Sequence, residues 1–169
     1  NTRAVANLTV SKLAQDGNTQ DFNFTVLLTD GNGNPLKIPA DTATPQRYTV
    51  DNVSPYAVNF SLKNGESVML MNVPTGSKAK LTENNPEGYS VTISDITQGE
   101  IVISHTNTAE NIIIEADKSL RVLNNPGVEL PSTGGSGTHL FIFGGLALIC
   151  GALIFGFCLR RKREVRTFY

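Results

Sequence analysis

Phe22-Asn23-Phe24-Thr25-Val26-Leu27-Leu28-Thr29 alternates apolar and polar side chains over most of its length, between the turn-forming clusters Asp16-Gly17-Asn18 and Asp30-Gly31-Asn32-Gly33-Asn34-Pro35. Successive side chains of an extended chain point to opposite faces, so Phe22, Phe24, Val26 and Leu28 share one face. Gly and Asn in the flanking clusters tolerate positive φ and mark the ends of the run. The stretch reads as a half-buried β-strand.

The same pattern recurs on both sides of it. Leu8 to Lys12, Val58 to Leu62, Val68 to Val73, Ala79 to Glu83, Tyr89 to Ile93, Ile101 to His105, Ile112 to Ala116 and Leu120 to Asn124 are further short strands. They are divided by Lys63-Asn64-Gly65, Pro74-Thr75-Gly76 and Asn84-Asn85-Pro86-Glu87-Gly88. Apolar residues at helical spacing never persist long enough for a helix between Asn7 and Asn124. Seven or more strands at this spacing predict an all-β fold, a β-sandwich filling residues 1–125.

Composition narrows the function. The chain has 169 residues and a formal net charge of −1. Arg160, Arg161, Lys162, Arg163 and Arg166 against Glu164 place about +4 on the tail, which leaves about −5 elsewhere. An acidic domain of this kind argues against nucleic acid as a partner. The two cysteines, Cys150 and Cys158, lie inside an apolar run, so the β-rich part forms no disulfide and carries no thiolate nucleophile. His105 and His139 lack ligand spacing, so neither a metal nor a cofactor is expected. No phosphate loop, nucleophile elbow or Ser-His-Asp order points to catalysis on an external substrate. The chain opens at Asn1 without a leader-like segment, and is expected to be processed or cut from something longer.

The C-terminal third has a different organisation. Residues 126–139 are rich in Pro, Gly and Ser and read as an extended linker. Leu140 to Leu159 is apolar or Gly throughout, and at 1.5 Å per residue about 20 residues match a bilayer core of about 30 Å. Residues 160–169 form a basic tail that the positive-inside rule places in the cytoplasm. Within the linker stand Leu130, Pro131, Ser132, Thr133 and Gly134. Motif, short spacer, apolar span and basic cluster, in that order, resemble the sorting signals of Gram-positive surface proteins. The resemblance implies cleavage by a sortase between Thr133 and Gly134, and transfer of Thr133 to a peptidoglycan precursor or another pilin subunit. It also implies a precursor that crosses the plasma membrane once and a product attached to the cell wall.

The β-rich part resembles the B-type repeats of collagen adhesins and Gram-positive pilins, especially the pilin isopeptide-linkage variety. The residues carrying that likeness are Leu8-Thr9-Val10-Ser11-Lys12, Phe22-Asn23-Phe24-Thr25-Val26, Phe60-Ser61-Leu62-Lys63-Asn64-Gly65-Glu66, Val73-Pro74-Thr75-Gly76 and Leu81-Thr82-Glu83 running to Gly88-Tyr89. It implies an immunoglobulin-like sandwich in which a strand Lys and a last-strand Asn condense to an amide with loss of ammonia, assisted by a Glu. Lys12 matches the lysine and Glu83 the assisting glutamate. Asn124 and Asn107 both remain candidates for the asparagine, with Asn125 adjacent. Strand parity favours Asn124: Leu8, Val10 and Lys12 form one line, Ala79, Leu81 and Glu83 a second, and Leu120, Val122 and Asn124 a third. Choosing Asn107 would turn His105 inward. Two departures from the family pattern are Ala79, where an aromatic usually opens the strand, and a slightly short interval from Glu83 to Tyr89.

These features together lead to the expectation of a sortase-anchored pilin subunit or adhesin stalk domain, with no enzymatic turnover. Two alternatives are a module that binds a host surface ligand through loops such as Asp30 to Pro35 or Ile38 to Arg47, and the wall anchor of an enzyme lying upstream of Asn1. The Tyr-Pro-Lys-Asn-like motif that carries the polymerising lysine of shaft pilins is missing, which favours an accessory or base pilin or an unpolymerised protein. Asn7-Leu8-Thr9, Asn23-Phe24-Thr25, Asn52-Val53-Ser54 and Asn59-Phe60-Ser61 fit the N-glycosylation pattern by chance in an Asn-rich β chain.

Overall fold

A computed structural model describes residues 4–127, and among them every regular element is a strand. In chain order these are β1 (Val5–Ala14), β2 (Phe22–Thr29), β3 (Thr49–Val50), β4 (Val58–Leu62), β5 (Ser67–Pro74), β6 (Ser77–Asn84), β7 (Tyr89–Asp95), β8 (Ile101–Ser104), β9 (Thr108–Ile114) and β10 (Lys118–Pro126). They form two five-stranded sheets, ordered β5-β1-β10-β7-β8 and β3-β4-β2-β6-β9. Each sheet turns its alternate apolar residues toward the other. Leu8, Val10, Leu70, Ile93, Leu120 and Val122 meet Phe24, Val26, Leu28, Leu81 and Ile114, all nearly inaccessible to water. Phe24 and Phe60 stack with ring centroids 5.3 Å apart. Burial of each such side chain contributes about 1.5–3 kcal/mol, so inward-facing rows of this length hold the sheets together.

The first and last strands of the domain, β1 and β10, are parallel neighbours in their sheet, with Lys12 level with Val122 and Ala14 level with Asn124. Parallel neighbours cannot be joined by a tight turn, so the whole of the intervening chain forms the crossover. The first and last strands thus lie side by side, with the N-terminal end of β1 and the C-terminal end of β10 at opposite ends of the sheet.

The strand expected over Ile112 to Ala116 lies earlier, at Thr108–Ile114. Ala109 and Ile112 both face the core although they are three residues apart, because Asn111 takes a φ of 55° and the register against β6 shifts between Ala79 and Leu81. Such a bulge breaks the period of two on which the expectation rested. The strand expected to run to His105 ends at Ser104, and Asn107 falls in the turn to β9 rather than at a strand end. The two-residue β3 is too short to leave a pattern in the sequence.

Candidate functional site

The inward row of β1 runs Ala6, Leu8, Val10 and then Lys12; that of β10 runs Leu120, Val122 and then Asn124. Parity alone sends both polar side chains into the core. Their register places them diagonally on adjacent strands, two positions apart on one face. Glu83 belongs to the opposite sheet, on β6, level with Phe24 of β2, and reaches across the sandwich. The three side chains meet. Lys12 Nζ donates to Glu83 Oε1 at 3.0 Å, and Asn124 Nδ2 donates to the same oxygen at 2.7 Å. Glu83 and Asn124 are 0% exposed and Lys12 is 2% exposed.

The surroundings are apolar. The Lys12 nitrogen lies 4.1 Å from the centre of the Phe22 ring and 5.8 Å from that of Phe24. Burial pushes the Lys12 amine below the ordinary lysine range, against the opposing pull of its hydrogen bond to Glu83 and the Glu83 charge. Two acceptors in the cluster, Glu83 Oε2 and Asn124 Oδ1, have no hydrogen-bond partner. Each such atom, cut off from water, costs about 1–3 kcal/mol. An ion pair in this position has also given up the hydration of both charges, a penalty of several kcal/mol per ion. The arrangement is therefore expensive as it stands, and it places an amine of weakened basicity beside a carboxyl group and a carboxamide.

Asn107 is close to Glu83 but in a different role. Its carbonyl accepts from the Glu83 N–H at 2.8 Å, and its Nδ2 donates to the Glu83 carbonyl at 3.0 Å. These bonds clip the main chain of β6 and leave the carboxylate to Lys12 and Asn124. Asn125, one position along β10, is turned to the other face of the strand. The remaining residues singled out in the sequence, Leu130, Pro131, Ser132, Thr133 and Gly134, together with the span and the basic tail, lie outside the described residues. So does most of the linker; β10 itself extends to Pro126, and the Gly127 N–H bonds the Gly88 carbonyl at 2.7 Å. A β-carbon on Gly127 would stand 3.0 Å from that oxygen, which explains the glycine.

Two features leave no mark in the sequence. The period of β2 puts Phe22 in the core but gives no sign that its ring faces a lysine. Asp41, buried in the 38–48 loop, is gripped by Arg47 through Nε at 3.0 Å and Nη2 at 2.9 Å, and accepts from the Arg47 and Ala43 main-chain N–H groups. The Arg47 hydrogen bonds hold the Asp41 carboxyl far below the usual carboxylate range. An Asp and an Arg six residues apart in a loop carry no periodicity, so nothing in the sequence marks them as partners. Among the described residues no cluster of three or more His, Cys, Asp or Glu is placed to hold a metal ion.

Comparison with known proteins agrees with this architecture. Residues 123–165 match the LPXTG cell wall anchor motif. A pilus-presented adhesin, Spy0125 (Cpa), is 25% identical with a TM-score of 0.57, over 73% of this chain and 28% of that one. The major pilin protein (T-13) of Streptococcus pyogenes is 26% identical with a TM-score of 0.53, over 72% of this chain and 45% of that one. A variant of the major pilin of Streptococcus pyogenes shares the fold at 21% identity, with a TM-score of 0.54. This chain thus spans less than half the length of these structures. No curated protein matches it. Fold and anchor together define an LPXTG-anchored, pilin-like surface protein, attached to the cell wall by sortase processing. Residues 6–116 match the model of a domain of unknown function, DUF7601, and the chain belongs to that family.

Proposed function

We propose that the chain is a pilin subunit or adhesin stalk domain of the collagen-adhesin B type, locked by a self-formed amide between Lys12 and Asn124. The observation that carries the reading is the shared acceptor: amine and carboxamide both bond Glu83 Oε1 inside a dry core. A proton passed from Lys12 to Glu83 along their 3.0 Å hydrogen bond yields a neutral amine and a carboxylic acid, the pair that a low-dielectric site favours over separated ions. The Lys12 nitrogen lone pair then attacks Asn124 Cγ, while the acid hydrogen-bonds and polarises the carboxamide. The Cγ–Nδ2 bond breaks with its electron pair on nitrogen, a proton from Nζ is relayed to it, and ammonia leaves. Glu83 ends protonated, and amide and acid can satisfy each other's donors and acceptors. The step occurs once per molecule and is maturation rather than turnover.

The topology gives the bond a mechanical sense. A load arriving from the wall anchor enters β10 at its C-terminal end, crosses to β1 through the amide almost at once, and runs back along β1. The chain between Lys12 and Asn124 is then outside the load path. Anchoring itself would proceed by sortase attack at Thr133, with Leu140–Leu159 as a temporary span holding the substrate at the membrane and an amine of the wall precursor or of another pilin as acceptor. The test is intact-mass measurement of protein released from the wall. A mass short by one ammonia, with Lys12 and Asn124 in one cross-linked peptide, is the expected result; the full formula mass overturns the reading. A second reading, host-ligand binding through the 38–48 loop, draws on the rigidity that the Asp41–Arg47 pair confers there, and binding of the purified protein to host surface components tests it.

A further inference from the structure

The buried cluster lies one step below the end of the sandwich, and one side chain closes that end. On β7 the inward row runs Ile93, Val91 and then Tyr89; Val91 is level with Asn124, so Tyr89 is its diagonal neighbour on the outer side. The Tyr89 ring meets Phe22 edge-on with centroids 5.8 Å apart, and Phe22 in turn covers the Lys12 nitrogen. Phe22 is 4% exposed whereas Tyr89 is half-buried, so Tyr89 forms the layer between the cluster and solvent.

Its hydroxyl is held from the β1–β2 turn. Tyr89 Oη donates to Asp16 Oδ2 at 2.6 Å and accepts from Asn18 Nδ2 at 2.8 Å. The same turn is tied to the reacting residue, because the Gln15 N–H donates to the Asn124 carbonyl at 3.0 Å. The hydrogen bond to Tyr89 lowers the Asp16 pKa, and its counterpart raises that of Tyr89, so the charge-assisted bond persists at neutral pH.

We infer that Tyr89, with Asp16 and Asn18, is a latch that keeps water from the Asn124 carboxamide while Lys12 attacks it, making these three positioning residues of the proposed condensation. The chemistry requires such a device. A carboxamide polarised enough to accept an amine also accepts water: water adds its oxygen to Asn124 Cγ, the Cγ–Nδ2 bond breaks, ammonia leaves, and the side chain becomes a carboxylic acid. Aminolysis and hydrolysis then compete at one carbon, and exclusion of water decides between them. Phe22 covers the amine, but Asn124 lies two residues before the end of β10, where the Tyr89 row is the last one before solvent. The inference rests on the Lys12–Asn124 reading.

The test uses Tyr89→Phe, which keeps the ring against Phe22 and removes both hydroxyl bonds, and Asp16→Asn, which keeps the side-chain volume and removes the charge. Full-length wild type and variants are synthesised cell-free, with detergent, in heavy-oxygen water, and the peptide carrying residue 124 is weighed. Heavy oxygen there reports attack by water even where the resulting acid later condenses with Lys12. Loss of a hydrogen bond to a charged group should open the latch roughly ten- to a hundredfold more often. Wild type should lose ammonia without uptake of label, whereas both variants should show label at residue 124 and proportionately faster hydrogen exchange of the Gln15 amide. Variants that condense as completely as wild type, without label and with unchanged Gln15 exchange, overturn the latch alone. A wild type that loses no ammonia overturns the condensation and the latch together.

Discussion

Replacing Asn124 by Ala separates a covalent lock from an ordinary buried polar cluster. The substitution leaves Lys12 paired with Glu83 and removes the Nδ2 donor at 2.7 Å from Oε1. If the cluster is only hydrogen-bonded, the loss is one bond to a charged acceptor, about 1.5–3 kcal/mol. If Lys12 and Asn124 are joined, the variant also loses closure of a loop of over 100 residues, which in the chain-entropy treatment of cross-links contributes about 4–5 kcal/mol. For a domain of about 125 residues 1 kcal/mol moves the melting midpoint by about 4 °C. The first case therefore lowers the midpoint by roughly 5–10 °C and the second by roughly 20–30 °C. Scanning calorimetry on wild type and variant, with Asn107→Ala as a control that loses only a main-chain clip, distinguishes them. Asn107→Ala should cost about 1 kcal/mol and retain the loss of ammonia. A drop under about 10 °C for Asn124→Ala would refute the covalent lock, as would a larger drop for Asn107→Ala.

Glu83→Gln should slow condensation by about a hundredfold or more, since it removes both the proton acceptor and the acid; the time course of ammonia loss by mass spectrometry reads this directly. Because burial lowers the Lys12 pKa, the folded, unreacted protein binds fewer protons there than the unfolded chain, so raising the pH favours the folded state and the free amine alike. Condensation, however, uses the one proton that Lys12 passes to Glu83, so its rate should stay level while the pair holds that proton and fall as the pH rises past the lowered Lys12 value, below the ordinary lysine range. Asp41 acts in the same direction at lower pH: its depressed pKa contributes stability above the normal carboxylate range that is lost only as pH falls through the depressed value. Amide protection in the 38–48 loop should survive to pH values where ordinary carboxylates are already protonated, and Arg47→Gln should abolish that resistance. Thr133→Ala should leave the protein in the membrane fraction rather than the wall, since it changes the residue whose carbonyl sortase would attack.

Strand parity is the most legible feature of this chain. Val10 and Lys12, Leu81 and Glu83, and Val122 and Asn124 differ in chemistry within each pair but share a face, because a period of two is a property of the extended backbone and not of the side chain. The same logic fails at β9, where Asn111 bulges and two inward residues stand three apart. It is silent at Asp41 and Arg47, which meet in a loop without any repeat.

The sequence by itself determined the class of fold, the inward facing of three polar side chains, and the sorting motif with its apolar span and basic tail, since each follows from local pattern. Tertiary structure decided which of those side chains meet. Parallel pairing of β1 with β10 sets Lys12 diagonal to Asn124, and packing of the second sheet brings Glu83 across to both. Asn107, the alternative that parity disfavoured, is left bonded to main chain. Register between strands a hundred residues apart depends on the fit of whole sheets, and that fit is written in no single stretch of the chain.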